Sequence, residues 1–448
     1  MQYTIALEIA NAISDEGCSL DELVTKIKAV FVEEGFPGFV ALLLRVIDEA
    51  LCVASLKGST SHLNPCGCAH PRLESKGLKP RSFRTSIGKV KIKCRHLRCR
   101  SCRATQVPLC QFLKIDPYQR KTAELEEIVA DVVGDQSFRR SSAHLEIVGQ
   151  IVVPKSTLHD WIKATTCDEV ANQRHSVGQI FADGTGFKRR AGKEPKSSNR
   201  GQVKVMLGID HQGNTIPMGA WSGESWAEIG ELVHPREKAG EKQLYLADNL
   251  VVDGEAAIAE GLEHLAENVQ RCHWHLSRDL GFSMWQNGAP LEERKAQAKQ
   301  LSRLIAIELP EGDVDTVSKE DKKALLDHYE RTEEEIDRLI EALDKKGYGA
   351  AATYVSNAKR DLFTYLGAWL DLGIRCPRTN SLIERIMREV GRRLKRIAFG
   401  WSEAGAAKMT RIVLAKLLAP REWEAYWQKR KRLEGNAIIL FKGARIVS

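Results

Sequence analysis

The chain changes its hydrophobic period near Gly178, and that change narrows the possible folds more than any other feature. From Thr122 to Lys163, before it, apolar residues recur at helical spacing. After it, Ile180–Ala182, Gln202–Ile209 and Thr215–Ala220 read as three strands, the last two joined by the turn-forming Asp210-His211-Gln212-Gly213-Asn214. A helix is expected from Ser225 to about Leu232, a strand at Leu244–Val252, a helix from Glu255 to Leu265 and a strand near Val269. A three-strand meander followed by alternating helix and strand predicts an α/β layer. From about Pro290 to Leu370 the pattern is helical and highly charged, as in Glu333–Lys345, and a further helix spans Thr379–Ile397. The α/β core is therefore expected to carry a helical insertion.

Upstream, Leu20, Leu23, Ile27 and Val30 form one helical stripe and Val40, Leu43, Leu44 and Ile47 another, with Pro37 and Gly38 between them. The 448 residues imply about two to four domains. The expected segments are a helical one at 1–60, a cysteine-rich basic module at 61–112 and a helical region at 113–176. The first part of the core follows at 177–289, the insertion at 290–370, and the second part of the core with a C-terminal tail at 371–448.

An apolar fraction of 43% with 28% charged residues excludes a disordered or fibrous chain. No stretch approaches the roughly 18 uncharged apolar residues a membrane helix needs, and Phe36–Ile47 is interrupted by Arg45. With no basic-then-apolar leader and an odd count of eleven cysteines, reduced thiols in the cytoplasm are expected, some of them holding metal. The net charge of +8 matters less than its distribution, because no Asp or Glu occurs between Lys76 and Ile115. Lys79, Arg81, Arg84, Lys89, Lys91, Lys93, Arg95, Arg98, Arg100 and Arg103 all fall in that interval. Such a block repels itself unless phosphates, or solvent and salt, neutralise it.

Cys66 and Cys68 are followed, after a basic strand-like stretch at Ile87–Ile92, by Cys99 and Cys102. Two close pairs about thirty residues apart suit a zinc ribbon, in which four thiolates surround one ion. The first pair is a tight Cys-x-Cys, and His70, Cys94 and His96 are competing ligands. Further on, Ser141–Gln150, a turn at Ile151–Pro154 and Lys155–Lys163 read as helix, turn, helix. Ser156 or a neighbour would cap the second helix, with Leu158, Trp161 and Ile162 inward and Lys155, Thr157, His159 and Lys163 outward. A helix-turn-helix presents such a face to the DNA major groove, although helix pairs of this kind also occur without DNA.

The chemistry-bearing candidates are carboxylates. Asp183 is expected at the end of the first core strand, in Phe181-Ala182-Asp183-Gly184, and Asp253 ends the fourth, in Val251-Val252-Asp253-Gly254-Glu255. A strand-end aspartate followed by glycine leaves room for an ion and a substrate, and oxygen-only ligands favour magnesium or manganese. Asp-Gly also marks ordinary turns. In the Thr379–Ile397 helix, Ile383, Met387, Val390 and Leu394 form the buried stripe, while Glu384 shares a neighbouring face with Arg388, Arg392 and Lys395. A solvated salt-bridged face would have the same pattern.

Four segments in order resemble the bacterial insertion-sequence transposases of the Mutator-like superfamily. Phe181-Ala182-Asp183-Gly184 and Val252-Asp253-Gly254 look like the first and second catalytic strands. Gln270-Arg271-Cys272-His273-Trp274-His275 is similar to the family's Cys-x-x-His segment, and Thr379-Asn380-Ser381-Leu382-Ile383-Glu384-Arg385 to the segment bearing its glutamate. The resemblance covers most of residues 60–415 and implies an RNase H-like core. Asp183, Asp253 and Glu384 would hold two magnesium or manganese ions that cut transposon ends and join them to target DNA. It implies a structural or DNA-positioning role for Cys272 and His275, double-stranded DNA as partner, and a homodimer or higher oligomer on DNA. Arg388, Arg392 and Lys395 would contact phosphates. Asp248, in Leu246-Ala247-Asp248-Asn249, competes with Asp253, which is preferred because glycine follows it and the Cys-x-x-His segment comes at a plausible distance. A non-catalytic DNA-binding regulator on a degenerate core and a nuclease that cuts without joining are the rival expectations.

Overall fold

The computed structural model describes residues 19–21, 24–25, 28, 35–58, 66, 68, 71–190, 200–237, 244–396 and 400–432. They fall into two compact units, one reaching Thr165 and including the chain from Glu424, the other running from Thr166 to Trp423.

The first unit opens with α1 (Phe36–Leu56). Pro37 sits in its first turn, where a missing N–H leaves no bond unmade, so Pro37-Gly38 lies at the start of this helix. Leu23, Ile27 and Val30 of the upstream stripe lie outside the described residues. Val40, Leu44 and Ile47 pack as expected, against Phe83, Val90, Ile92 and Cys94 of a long hairpin. That hairpin, β1 (Leu73–Thr85) and β2 (Gly88–Cys99), turns tightly between Thr85 and Gly88. It extends well beyond the expected Ile87–Ile92, because cross-strand pairing stabilises lysine- and arginine-rich stretches whose charges face outward on alternate residues. Asp48 of α1 is buried and accepts the Arg95 N–H at 3.1 Å.

A short β3 (Thr105–Gln106) pairs with β2, and α2 (Pro108–Phe112) follows. Next come α3 (Ala123–Asp135), α4 (Phe138–Gly149) and α5 (Lys155–Ala164), the first two capped by the hydroxyls of Thr122 and Ser137. Gln150, in the left-handed region at φ 53°, ends α4. Helix α5 starts after Pro154 with no side-chain cap, and Ser156, expected to cap it, lies exposed within its first turn. Proline's fixed φ sets this start, and the turn is tied instead by Ser142 Oγ donating to the Val153 carbonyl at 2.7 Å. Leu158 and Ile162 are buried, while Trp161 is only half-buried, with the Lys121 ammonium 4.6 Å from its ring centre.

The second unit is built on a five-stranded sheet: β4 (Val177–Lys188), β5 (Arg200–Ile209), β6 (Thr215–Trp221), β7 (Ala247–Val252) and β8 (Ala266–Arg271). Its order is β6-β5-β4-β7-β8. The first three strands form an antiparallel meander and the last two join in parallel, as the change of period predicts. The β5–β6 turn closes on Asp210, whose Oδ1 accepts the N–H groups of Gln212 and Asn214. Helix α6 (Asp168–Ala171) precedes the sheet. Helix α7 (Trp226–Val233), opened by a Ser225–Glu228 capping box, links β6 to β7, and α8 (Ala256–Leu262) links β7 to β8.

The helical insertion comprises α9 (His273–Gln286), α10 (Leu291–Leu304), α11 (Lys319–Lys345), α12 (Gly349–Ala358) and α13 (Thr364–Leu372). These share one apolar core, so the insertion begins on α9, before the expected Pro290. The chain then returns as α14 (Ser381–Lys395), packed on β4, and α15 (Glu403–Leu418), packed on β5 and β6. Helix α16 (Pro420–Lys431) crosses the unit boundary, and its far end ties Arg430 to Glu126 and Lys431 to Glu127, both at 2.8 Å. Among the described residues no helix is long and apolar enough to cross a membrane.

Candidate functional site

Strand register decides which aspartates can share a site. β4 and β7 run parallel with Gln179 opposite Asn249 and Phe181 opposite Val251. Carrying that register onward sets Asp183 level with Asp253. Asp248 falls level with Gly178, and a side chain built on Gly178 would lie 3.7 Å from an Asp248 carboxylate oxygen. Five residues of strand separate the two levels, about 16 Å at 3.3 Å per residue. Asp248 therefore faces His211, 4.0 Å away, well along the strands from Asp183.

Asp183 does not end its strand, contrary to the expectation. β4 continues to Lys188 because its antiparallel pairing with β5 persists after the parallel pairing with β7 has stopped, and Asp183 itself stands opposite Val205. Beyond Phe181, β4 thus pairs with β5 alone. Burial pushes the Asp183 carboxyl up to about 7, and the negative charges of Asp253, Glu384 and Glu255 add to the rise, against a hydrogen bond from the Gly184 N–H. Asp183, Asp253 and Glu384, which lie on three separate elements, are thereby brought together. Among the described residues, no three carboxylates place their oxygens all within 4.8 Å of one another.

Glu384 stands in the first turn of α14 and is anchored from α9, where His275 Nε2 lies 3.1 Å from its Oε1. Burial, then the charge of Arg278, lowers the His275 pKa, against the charges of Asp253 and Glu384. Cys272, at the start of the same helix, donates its S–H to Asn380 Oδ1 at 3.2 Å and accepts the Asn380 N–H at 3.4 Å. Asn380 immediately precedes α14, so the Cys-x-x-His segment fixes the helix that bears Glu384 at two points, one turn apart. His273 between them bonds the Leu362 carbonyl at 2.8 Å and is held neutral by burial.

The turn after Asp253 is equally constrained. The Glu255 N–H donates to Asp253 Oδ1 at 2.9 Å, and Gly254 lies at φ +101°, a conformation that favours glycine. A Cβ on Gly254 would fall 1.0 Å from the Arg271 guanidinium, which bonds the Tyr354 hydroxyl of α12 at 2.7 Å.

Two residues beside the cluster were not singled out from the sequence. Glu255 follows Asp253 by two residues, and burial, then the Asp253 charge, raises its pKa, with Lys204 opposing. Lys204 lies opposite Gly184 on β5 and donates to the Glu224 carbonyl at 2.5 Å. Only strand pairing brings it there, so no local pattern could reveal it. On α14 the expected stripe of Ile383, Met387, Val390 and Leu394 is buried. Arg388, Arg392 and Lys395 are exposed, and Arg392 is ion-paired with Glu389.

In the first unit, the sulfurs of Cys66, Cys68, Cys99 and Cys102 lie within 4.8 Å of one another. Four thiolates around one zinc at about 2.3 Å would stand about 3.8 Å apart, so this set can hold a tetrahedral ion. Backbone N–H groups of the Cys99–Cys102 knuckle pull the Cys99 thiol down, while the neighbouring thiols, Cys66 first, push Cys68 up. Cys94 and His96 do not join the quartet among the described residues, and His70 lies outside them. On α5, Lys155, His159 and Lys163 are exposed and Thr157 is half-buried, with His159 packed edge-on against Phe138 of α4.

No protein-family model matches this chain, and none of the curated proteins compared with it does.

Proposed function

We propose that the chain is a DNA transposase of the Mutator-like kind, which cuts transposon ends and joins them to target DNA at Asp183, Asp253 and Glu384. The observation that carries this reading is the burial of Asp183 together with the acidic charge that Asp253 and Glu384 bring to it, which raise its carboxyl to about 7. Crowded like charges are costly unless a cation neutralises them, and an all-oxygen donor set fits magnesium or manganese. Two-metal sites of this class hold ions about 3.5–4 Å apart. Such ions, when bound, stabilise the attacking and leaving oxygens of phosphodiester exchange. The meander followed by parallel strands supports an RNase H-like core.

The chain's own groups have separable roles. His275 orients Glu384, and the Asn380–Cys272 contact sets the helix that presents it. Gly254 and Arg271 hold the turn carrying Asp253. Exposed Arg388 and Lys395, on the helix that bears Glu384, are available to phosphates, and α5 with the basic hairpin supplies a DNA-facing surface in the first unit.

The test uses purified protein, labelled DNA from the flanks of its gene, a target plasmid and magnesium or manganese. Joined product from the wild type, none from Asp253→Asn, and retained product from Asp248→Asn is the expected outcome. Cutting without joining makes the protein a nuclease. DNA binding with no product from any form makes it a regulator.

A further inference from the structure

The metal-type quartet leaves other cysteines of the first unit unused, and two of them meet. Cys94 of β2 and Cys110 of α2 are both buried: Cys94 shares a core cluster with Leu109, the neighbour of Cys110, and each of the two thiols is the first influence on the other's pKa. Arg81 of β1 donates from Nη1 to the same sulfur at 2.9 Å. Its other nitrogen, Nη2, is fixed by the carbonyls of Asp116 at 2.9 Å and Gln119 at 3.3 Å, so the guanidinium is aimed at the sulfur. Arginine has no neutral form, and a guanidinium bonded to a sulfur favours the thiolate. The same cation repels a metal ion, and no third ligand stands within reach among the described residues.

We propose that Cys110 and Cys94 are a redox-active dithiol, in which a hydroperoxide oxidises the Cys110 sulfur and Cys94 resolves the product to a disulfide. The Cys110 thiolate attacks one peroxide oxygen, forming an S–O bond as the O–O bond breaks, and the departing oxygen leaves as hydroxide. Cys110 is then a sulfenic acid, oxidised by two electrons. The Cys94 sulfur displaces its hydroxyl, an S–S bond replaces the S–O bond, and the Cys94 proton leaves with that hydroxyl as water. With the proton first released by Cys110, two thiols and one hydrogen peroxide give one disulfide and two waters.

Electrostatics assigns the roles in the same order. The adjacent Cys94 thiol, together with the Arg81 charge, pulls Cys110 down to about 7, whereas the adjacent Cys110, then burial, pushes Cys94 up. At neutral pH Cys110 is the nucleophile and Cys94 the proton-bearing partner. An ordinary thiol near 8.5 is only ~3% ionised at pH 7.

The test exposes full-length, zinc-loaded protein to substoichiometric hydrogen peroxide, quenches it with iodoacetamide in denaturant and maps the cysteines by mass spectrometry, with a zinc-release dye alongside. The expected product is a Cys94–Cys110 cross-linked peptide, formed before zinc is released and reversed by dithiothreitol. In Cys94→Ser, dimedone should label Cys110, and in Arg81→Gln the disulfide should form about tenfold more slowly at pH 7. Cys94 and Cys110 both remaining alkylatable while the quartet oxidises and zinc is lost would overturn the proposal. The wild-type map decides this even if a variant fails to fold, and it does so whether or not the protein cuts DNA.

Discussion

Asp183 is the residue at which the reading of the second unit is most exposed to test. Its carboxyl titrates near 7 in the folded chain against 3.8 as an ordinary group, so the native state binds this proton more tightly than the unfolded state. The associated stability is present at acidic pH and is lost as pH rises between about 4 and 7. Without divalent cations, Asp183→Asn should therefore be more stable than the wild type by ~1–3 kcal/mol at pH 8 and lose that advantage by pH 4, as measured by denaturant melts. Added magnesium should raise the melting temperature of the wild type and leave Asp183→Asn unchanged; equal shifts in both would remove Asp183 from the metal site. His275 acts through Glu384, and partners of this kind typically contribute ~10–100-fold to activity or metal affinity. His275→Ala should lower strand cleavage by about that factor while circular dichroism stays native, and unchanged cleavage would make the contact incidental.

Among the elements, the β7–α8 turn couples the sheet to the helical insertion through one glycine. Gly254→Ala must displace Arg271 from Tyr354 and adopt a positive φ, which together should cost ~2–4 kcal/mol in urea unfolding. A change under 0.5 kcal/mol would mean that Arg271 moves freely. Helix α5 makes a different prediction, because its exposed lysines lie at both ends of one face. Lys155→Ala with Lys163→Ala should reduce the slope of log affinity for duplex DNA against log salt by about 2, while an unchanged slope would place the DNA elsewhere. Helices α4 and α5 were legible from local signals alone, since apolar spacing and the Pro154 stop lie within a dozen residues. The β1–β2 hairpin was legible only in part, because most of its residues are basic and polar and become strand through their cross-strand partners.

At the scale of the whole molecule, the division into two units predicts separable unfolding. Chelating zinc from the cysteine quartet should destabilise the unit reaching Thr165 and leave the transition of the Thr166–Trp423 unit in place, which calorimetry with and without chelator would resolve. A single transition that shifts as one body would contradict that independence. Hydrophobic period and Cys-x-x-Cys spacing are carried by neighbouring residues, so the sequence by itself determined an α/β core with a helical insertion and the four cysteines able to share an ion. It also contained both aspartate candidates, but the choice between them depends on which residue of β7 stands beside Asp183. That choice belongs to the tertiary structure, because strand register is fixed by packing between segments some seventy residues apart, and a shift of five residues carries a carboxylate about 16 Å along the strands. The same holds for Lys204, Glu255 and the Cys94–Cys110–Arg81 contact, whose members acquire their chemistry from neighbours that only folding supplies.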